Sequence, residues 1–159
     1  MNTRPALTLR DVDPCGADAL ALLREAALEA RALYPELIRA DAPMPGNTPT
    51  PPRGLYLLAY APDGQALGCG AFRPLDEDSA EIRRMYVLKA ARRCGVAWAL
   101  LERLQAEARA LSYRRLLLET GNKQTPAMAL YQRFGFVPMP AFGEYVNDPS
   151  SRCFEKALA

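Results

Sequence analysis

The chain has 159 residues, half of them hydrophobic and 24% charged, which suits one soluble globular domain over 1–159 with about two-thirds of its surface buried. Its 20 basic and 18 acidic side chains leave a formal charge of +2, too balanced to hold nucleic acid or an anionic membrane by bulk electrostatics, so any anion must be gripped locally. The absence of histidine removes the Ser-His-Asp triad, the Cys-His pair and histidine-based zinc sites, and proton transfer falls to Glu, Asp, Tyr, Cys, Lys or water.

In chain order, Leu7–Val12 alternates as a short strand, and Asp18–Leu33 carries apolar residues near helical spacing, with Asp18 as the start and Pro35 beyond the end. Ala42–Gly54 holds five prolines with Gly46 and Asn47 as a turn signal, and reads as a loop. Leu55–Tyr60 and Ala66–Phe72 flank Pro62-Asp63-Gly64 as a hairpin, and Ala80–Leu88 follows as a third central strand. Gly95–Leu111 is the strongest helix: Ala97, Leu100, Leu101, Leu104, Ala108 and Leu111 form one stripe that faces a sheet. Leu116–Glu119 is a buried strand, Thr125–Phe134 a helix with Pro126 in its first turn, and Phe136 with Cys153–Lys156 supplies the last strands.

Cys15, Cys69, Cys94 and Cys153 are separated by 54, 25 and 59 residues, which fits neither a zinc ribbon nor a compact disulfide framework, so no metal and reduced thiols are expected. Met1–Leu9 lacks the apolar core of a secretion signal, and no stretch approaches the roughly 20 apolar residues of a membrane span. A cytoplasmic protein without membrane or nucleic-acid partners is the expectation.

Between Ile82 and Arg93 stand five basic residues and no acid, immediately before a helix start. Arg92-Arg93-Cys94-Gly95-Val96-Ala97 lies where strand turns into helix, so several backbone N–H groups are expected to point out of the turn, and Gly95 allows a ligand to come close. A pyrophosphate suits such a place; a solvated basic turn is the bland alternative. Gly68-Cys69-Gly70 lacks the third glycine and the following helix of a dinucleotide fingerprint, and no GxxxxGK[ST] occurs.

Glu81-Ile82-Arg83-Arg84-Met85-Tyr86-Val87, then Arg92-x-x-Gly95-x-Ala97, Leu118-Glu119-Thr120-Gly121-Asn122 and Ala129-Leu130-Tyr131-Gln132-Arg133-Phe134-Gly135-Phe136 together resemble the GNAT acetyltransferases. Phe142-Gly143-Glu144-Tyr145 through Cys153-Phe154-Glu155-Lys156 resembles, more weakly, a small-molecule subgroup. The resemblance implies an α+β fold: a mixed, mostly antiparallel sheet of about 6–7 strands, flanked by about four helices and splayed between the fourth and fifth strands. It also implies acetyl-CoA as cosubstrate, with the backbone of Met85, Tyr86 and Val87 along the pantetheine arm. Main-chain donors of Arg92, Arg93, Cys94, Gly95, Val96 and Ala97 would hold the pyrophosphate, Asn122 the pantetheine amide region, and Tyr131 would sit near the sulfur. The family usually carries glycine where this chain has Arg93, and a basic residue where it has Trp98, read here as packing or an adenine contact.

The expected reaction is acetyl transfer to the amine of a small molecule by direct attack on the thioester. An alkyl ammonium has a pKa of about 10, so a base is needed. Glu81, on the strand that abuts the thioester, is the first candidate; Glu119 and Glu144 are the rivals. Tyr131 is the expected proton donor to the departing thiolate. Cys94 as a nucleophile is the weaker reading of a variable position in the phosphate loop. Of Arg83 and Arg84, strand alternation lets only one face the acceptor, where it would clamp a carboxylate. The competing functions are an acyl-CoA-binding sensor without turnover, and a transferase acting on protein N-termini or lysines. An exposed C-terminal strand makes a homodimer one expected state.

Overall fold

The computed structural model describes residues 6–158. The outermost ends of the expected domain and part of the Met1–Leu9 segment lie outside that range. Seven strands form one sheet in the order β1-β2-β3-β4-β5-β7-β6. They are β1 Thr8–Asp11, β2 Leu55–Tyr60, β3 Ala66–Pro74, β4 Ser79–Val87, β5 Arg115–Gly121, β6 Val137–Met139 and β7 Ser151–Ala157. All neighbours are antiparallel except β4 and β5. Three α-helices accompany them, α1 Ala17–Leu33, α2 Val96–Ala110 and α3 Thr125–Phe134. The sheet and its class are as the sequence implied; the helix count is three rather than four, because Lys89–Ala91 and Gly143–Tyr145 form only short 3-10 turns.

The two sheet faces are covered separately. Leu100, Leu101, Leu104 and Ala108 of α2, with Tyr131 and Phe134 of α3, pack on Leu57, Phe72, Ile82, Leu116 and Leu118. Across the sheet, Ala19 and Leu22 of α1 pack on Tyr56, Leu58, Cys69 and Ala71. The α2 stripe is therefore the expected one, except that Leu111 caps the helix and is 38% exposed. Helix α1 starts one residue before Asp18, at Ala17, and no side chain caps it. Phe136 precedes β6, and its ring is buried in the core rather than on a strand. Trp98 packs edge-on against Phe134 with ring centroids 4.9 Å apart.

One irregularity organises the centre of the sheet. Cys69 pairs with Tyr86 and Ala71 with Arg83, so Arg84 and Met85 together oppose Gly70: a β-bulge. Arg84 takes a left-handed backbone, φ 60°, to make it. The bulge resets the alternation, so Arg83 and Arg84 are not simple neighbours on opposite faces as strand period alone implied. Glycines on β3 make room, since a Cβ at Gly70 would lie 2.6 Å from Met85 Sδ and one at Gly68 2.8 Å from the carbonyl oxygen of Tyr86. A backbone oxygen cannot swing away as a thioether can. Gly68→Ala is therefore expected to destabilise the fold by about 2 kcal/mol and lower the melting temperature by about 4–8 °C, measured by differential scanning calorimetry.

Candidate active site

Parallel pairing of β4 with β5 covers only Ser79–Ile82 against Arg115–Leu118. Beyond it β4 runs on to Val87 and β5 to Gly121 without meeting, leaving a V-shaped opening between them. Met85, Tyr86 and Val87 lie on the freed edge of β4, where the sequence put the pantetheine arm.

At the mouth of the V the chain turns into α2. Arg93 and Gly95 are both left-handed, at φ 64° and 82°. The first helical bond of α2 is donated by Ala99 to Gly95, and the N–H of Arg92 reaches Lys89. The backbone N–H groups of Arg93, Cys94, Gly95, Val96, Ala97 and Trp98 find no backbone acceptor among the described residues. Six consecutive donors beside a helix start form a cradle of partial positive charge whose chemistry matches a diphosphate. Arg92 differs from its neighbours. Its Nε donates to the Val87 carbonyl (3.0 Å) and its Nη2 to Glu29 of α1 (2.7 Å), which also accepts from the Tyr86 hydroxyl (2.9 Å). That hydrogen bond from Arg92 holds the Glu29 carboxyl below its ordinary range. The Arg92 side chain thus braces the turn against α1, and the backbone donors without acceptors begin at Arg93. Cys94 is exposed, its Sγ 3.5 Å from the Arg92 carbonyl.

A second set of side chains gathers at the apex of the V, on the α1 face. Glu81 is buried with 1% exposure; its Oε1 accepts from Arg73 Nε (3.2 Å) and Nη2 (3.1 Å), and its Oε2 from the Tyr145 hydroxyl (2.7 Å). Both carboxylate oxygens are committed. Burial and that carboxylate push the Tyr145 phenol far up, so it stays protonated and keeps donating. Glu144 stands within 4.0 Å of both Arg73 and Arg83, more exposed than Glu81. Glu119 lies on the first residue of β5 past the paired segment, with one oxygen accepting from the Ser151 hydroxyl. Burial first, then the charges of Asp148, Glu81 and Glu144, push its carboxyl above the ordinary range against that hydrogen bond.

Tyr131 projects from α3 into the core on the α2 face of the sheet, 7% exposed, its ring edge-on to Phe136 at 6.0 Å. Burial and the Glu119 charge push its phenol up to about 12. Asn122 sits just past β5, exposed, with its backbone N–H on the Ser150 carbonyl (2.8 Å). The structure thus brings the predicted residues into two adjoining groups, the β4–α2 cradle and the Glu81–Glu119–Tyr131 apex. Contributors the sequence did not single out are Arg73, Tyr145 as a hydroxyl donor, Ser151 and Glu29. Only Tyr145 carried a signal, inside the Phe142–Tyr145 stretch; the others are ordinary surface types until the sheet places them. Among the described residues no group of three His, Cys, Asp or Glu could hold a metal ion, and no helix is long and apolar enough to cross a membrane.

A splayed parallel pair that opens toward a helix start with unpaired backbone donors sets out an α+β protein with a cleft along one strand edge. This chain belongs to the acetyltransferase (GNAT) family, whose sequence profile matches residues 20–136; it is an acyltransferase. It is 40% identical over 106 residues to the IAA acetyltransferase of Azospirillum brasilense, a match covering 65% of this chain and 69% of that one. It is also 40% identical over 93 residues to the uncharacterized N-acetyltransferase YsnE of Bacillus subtilis, covering 57% of this chain and 62% of that relative, somewhat under two-thirds of its length. Among solved structures, a Klebsiella pneumoniae chain provisionally assigned as an acyl-CoA N-acyltransferase superposes with a TM-score of 0.79 at 35% identity over 96% of this chain and 98% of that one. A GNAT acetyltransferase from Elizabethkingia anophelis with acetyl-CoA bound shares the fold, with a TM-score of 0.68 at 19% identity over 95% and 97% of the two chains.

The left-handed backbone at Arg93 is strained, since a Cβ in this region costs on the order of 1 kcal/mol. Arg93→Gly is expected to raise the melting temperature by about 2 °C, the relief of strain being partly offset by the looser unfolded chain. A thermal melt of the two proteins side by side checks it, and a lower melting temperature for the variant would contradict the strain assignment.

Proposed function

We propose that this chain is an acetyl-CoA-dependent N-acetyltransferase that acetylates the amine of a small molecule by direct attack on the thioester. The observation that carries the reading is the run of six backbone N–H groups from Arg93 to Trp98 without acceptors, at the mouth of a cleft whose β4 edge is unpaired. Such donors are already oriented, so binding a diphosphate there costs little reorganisation. Acetyl-CoA supplies the activated acetyl group. The name of the Azospirillum relative, for IAA, supports a small acceptor rather than a protein N-terminus or lysine.

In this reading a carboxylate takes one proton from the substrate ammonium, the neutral nitrogen forms a bond to the acetyl carbon, and as the carbon–sulfur bond breaks the nitrogen sheds its second proton to solvent. Glu119 is the better acceptor than Glu81. Its carboxyl is raised above the ordinary carboxylate range by burial and keeps one oxygen outside its Ser151 hydrogen bond, whereas both oxygens of Glu81 are engaged by Arg73 and Tyr145. Glu81 then serves to fix Arg73 and Tyr145 at the apex. Tyr131, protonated throughout the neutral range, gives its proton to the departing thiolate and regains one from solvent. Among the described residues, Met85, Tyr86 and Val87 offer backbone groups along the thioester, and Asn122 an amide at the far rim.

Calorimetry with coenzyme A and acetyl-CoA tests the cradle: binding is expected with both, and no heat with either would overturn the transferase assignment. Release of free thiol with a panel of amines then separates turnover from sensing. Tyr131→Phe is expected to lower kcat by about 100-fold with little change in coenzyme affinity. For Glu119 the sign follows from its role: the ionised form works, so kcat falls as pH drops through a raised carboxyl pKa. Glu119→Gln should lose that acidic limb with kcat down by about 100-fold, while Glu81→Gln should keep the limb; a pH profile unchanged in Glu119→Gln returns the base to Glu81.

A further inference from the structure

We propose that the cavity between α1, the proline-rich segment and the bulge of β4 is the acceptor site, and that Arg84 and Arg31 select an amine carrying both a carboxylate and an apolar side chain, in chemical class an amino acid. This rests on the N-acetyltransferase reading and names its substrate. The cavity has a volume of about 370 Å³. Leu23, Ala27 and Ala30 of α1 form one wall and Pro43 and Pro45 the facing one, so the lining suits an apolar body. Met85 and Tyr86 belong both to this lining and to the unpaired edge of β4, so the cavity adjoins the strand edge along which the thioester would lie.

Two guanidinium groups interrupt the apolar lining, and neither forms an ion pair with a carboxylate among the described residues. Arg31 donates to the backbone carbonyls of Ala40 and Ala42. Arg84 donates from Nε to Asn47 Oδ1 (3.1 Å) and from Nη2 to the Gly46 carbonyl (3.5 Å). Asn47 is itself pinned, its Nδ2 donating to the Pro14 carbonyl (2.9 Å) and the Tyr56 hydroxyl (3.1 Å). Neutral acceptors therefore hold both arginines in place and leave their charge uncompensated. Of the acids that act on Tyr86, Glu29 is committed to Arg92 and Tyr86, and Glu25 forms no ion pair with either arginine among the described residues.

A half-buried cation without a counterion costs free energy that a bound carboxylate would recover, with the planar fork matching its two oxygens. The backbone supports the same conclusion. Arg84 keeps a left-handed φ of 60° in mid-strand, a strain that the surrounding sheet imposes and that sets the origin of its side chain. Burial and the neighbouring Arg83 charge push the Arg84 guanidinium below its ordinary value, the direction expected of a cation short of partners.

The test compares L-leucine and L-phenylalanine with 3-methylbutylamine and 2-phenylethylamine, which keep the apolar body and the amine and lack the carboxylate. The wild-type protein is expected to favour each amino acid over its decarboxylated partner by about 100-fold in kcat/KM, the size of a charge-assisted hydrogen-bonded pair. In Arg84→Gln that ratio is expected to fall toward 1. Equal or reversed wild-type preference overturns the proposal, as does an Arg84→Gln ratio as high as wild type, or coenzyme binding without acetylation of either amino acid. The wild-type ratio decides even if the variant fails to fold, and Arg31→Gln gives an independent reading, with a severalfold fall in the same ratio expected. Absence of coenzyme binding would instead overturn the transferase reading beneath it.

Discussion

Parallel pairing between β4 and β5 stops after four residues on each strand, and nearly everything functional in the molecule follows from that stop. Up to Ile82 and Leu118 the two strands are buried partners in a continuous sheet. Past them the left-handed turn at Arg84 and the insertion opposite Gly70 carry β4 away, and its outward backbone groups lose their strand neighbour. Backbone polar groups inside a sheet are ordinarily satisfied. Here a stretch of them is left open in the middle of the molecule, where an extended ligand can complete the pairing that the protein itself withholds.

The same economy recurs at the start of α2. Two left-handed residues, Arg93 and Gly95, turn the chain so that six N–H groups face outward before the first helical bond forms. The strain at Arg93 is tolerated because the flanks are held. Arg92 is locked to the Val87 carbonyl and to Glu29, and Val96 is buried under the sheet. Main-chain donors from Arg92 to Ala97 were expected to hold the pyrophosphate; the Arg92 N–H is spent on the Lys89 carbonyl and its side chain braces the turn, so the unpaired main-chain donors start at Arg93.

At the apex, three carboxylates of similar intrinsic acidity are sorted by surroundings. Glu81 is surrounded by donors, Glu144 is screened by solvent and two arginines, and Glu119 is half-buried with one hydroxyl donor and three negative neighbours. Proximity to the thioester strand made Glu81 the natural candidate from sequence. Its two engaged oxygens and the raised carboxyl of Glu119 favour Glu119, on β5, over Glu81, on β4, for the proposed proton-accepting role, because a base must hold a free lone pair as well as the right position.

The sequence by itself determined the mixed sheet, its hairpin, the stripe of α2, the turn from β4 into α2 and the family resemblance. These depend on local periodicity, on turn residues and on motifs that are contiguous in the chain. It also marked Arg93 as the departure from pattern, and the backbone there is left-handed. Tertiary structure alone decided which partners each charge would have. Arg73 and Tyr145 reach Glu81 from 8 and 64 residues away, Ser151 reaches Glu119 from 32, and Asn47 reaches Arg84 from 37. It also decided that a bulge, rather than plain alternation, directs Arg83 and Arg84, since the extra residue shows only against the partner strand's register. Hydrogen-bond satisfaction is a property of assembled neighbours, and no single segment encodes it.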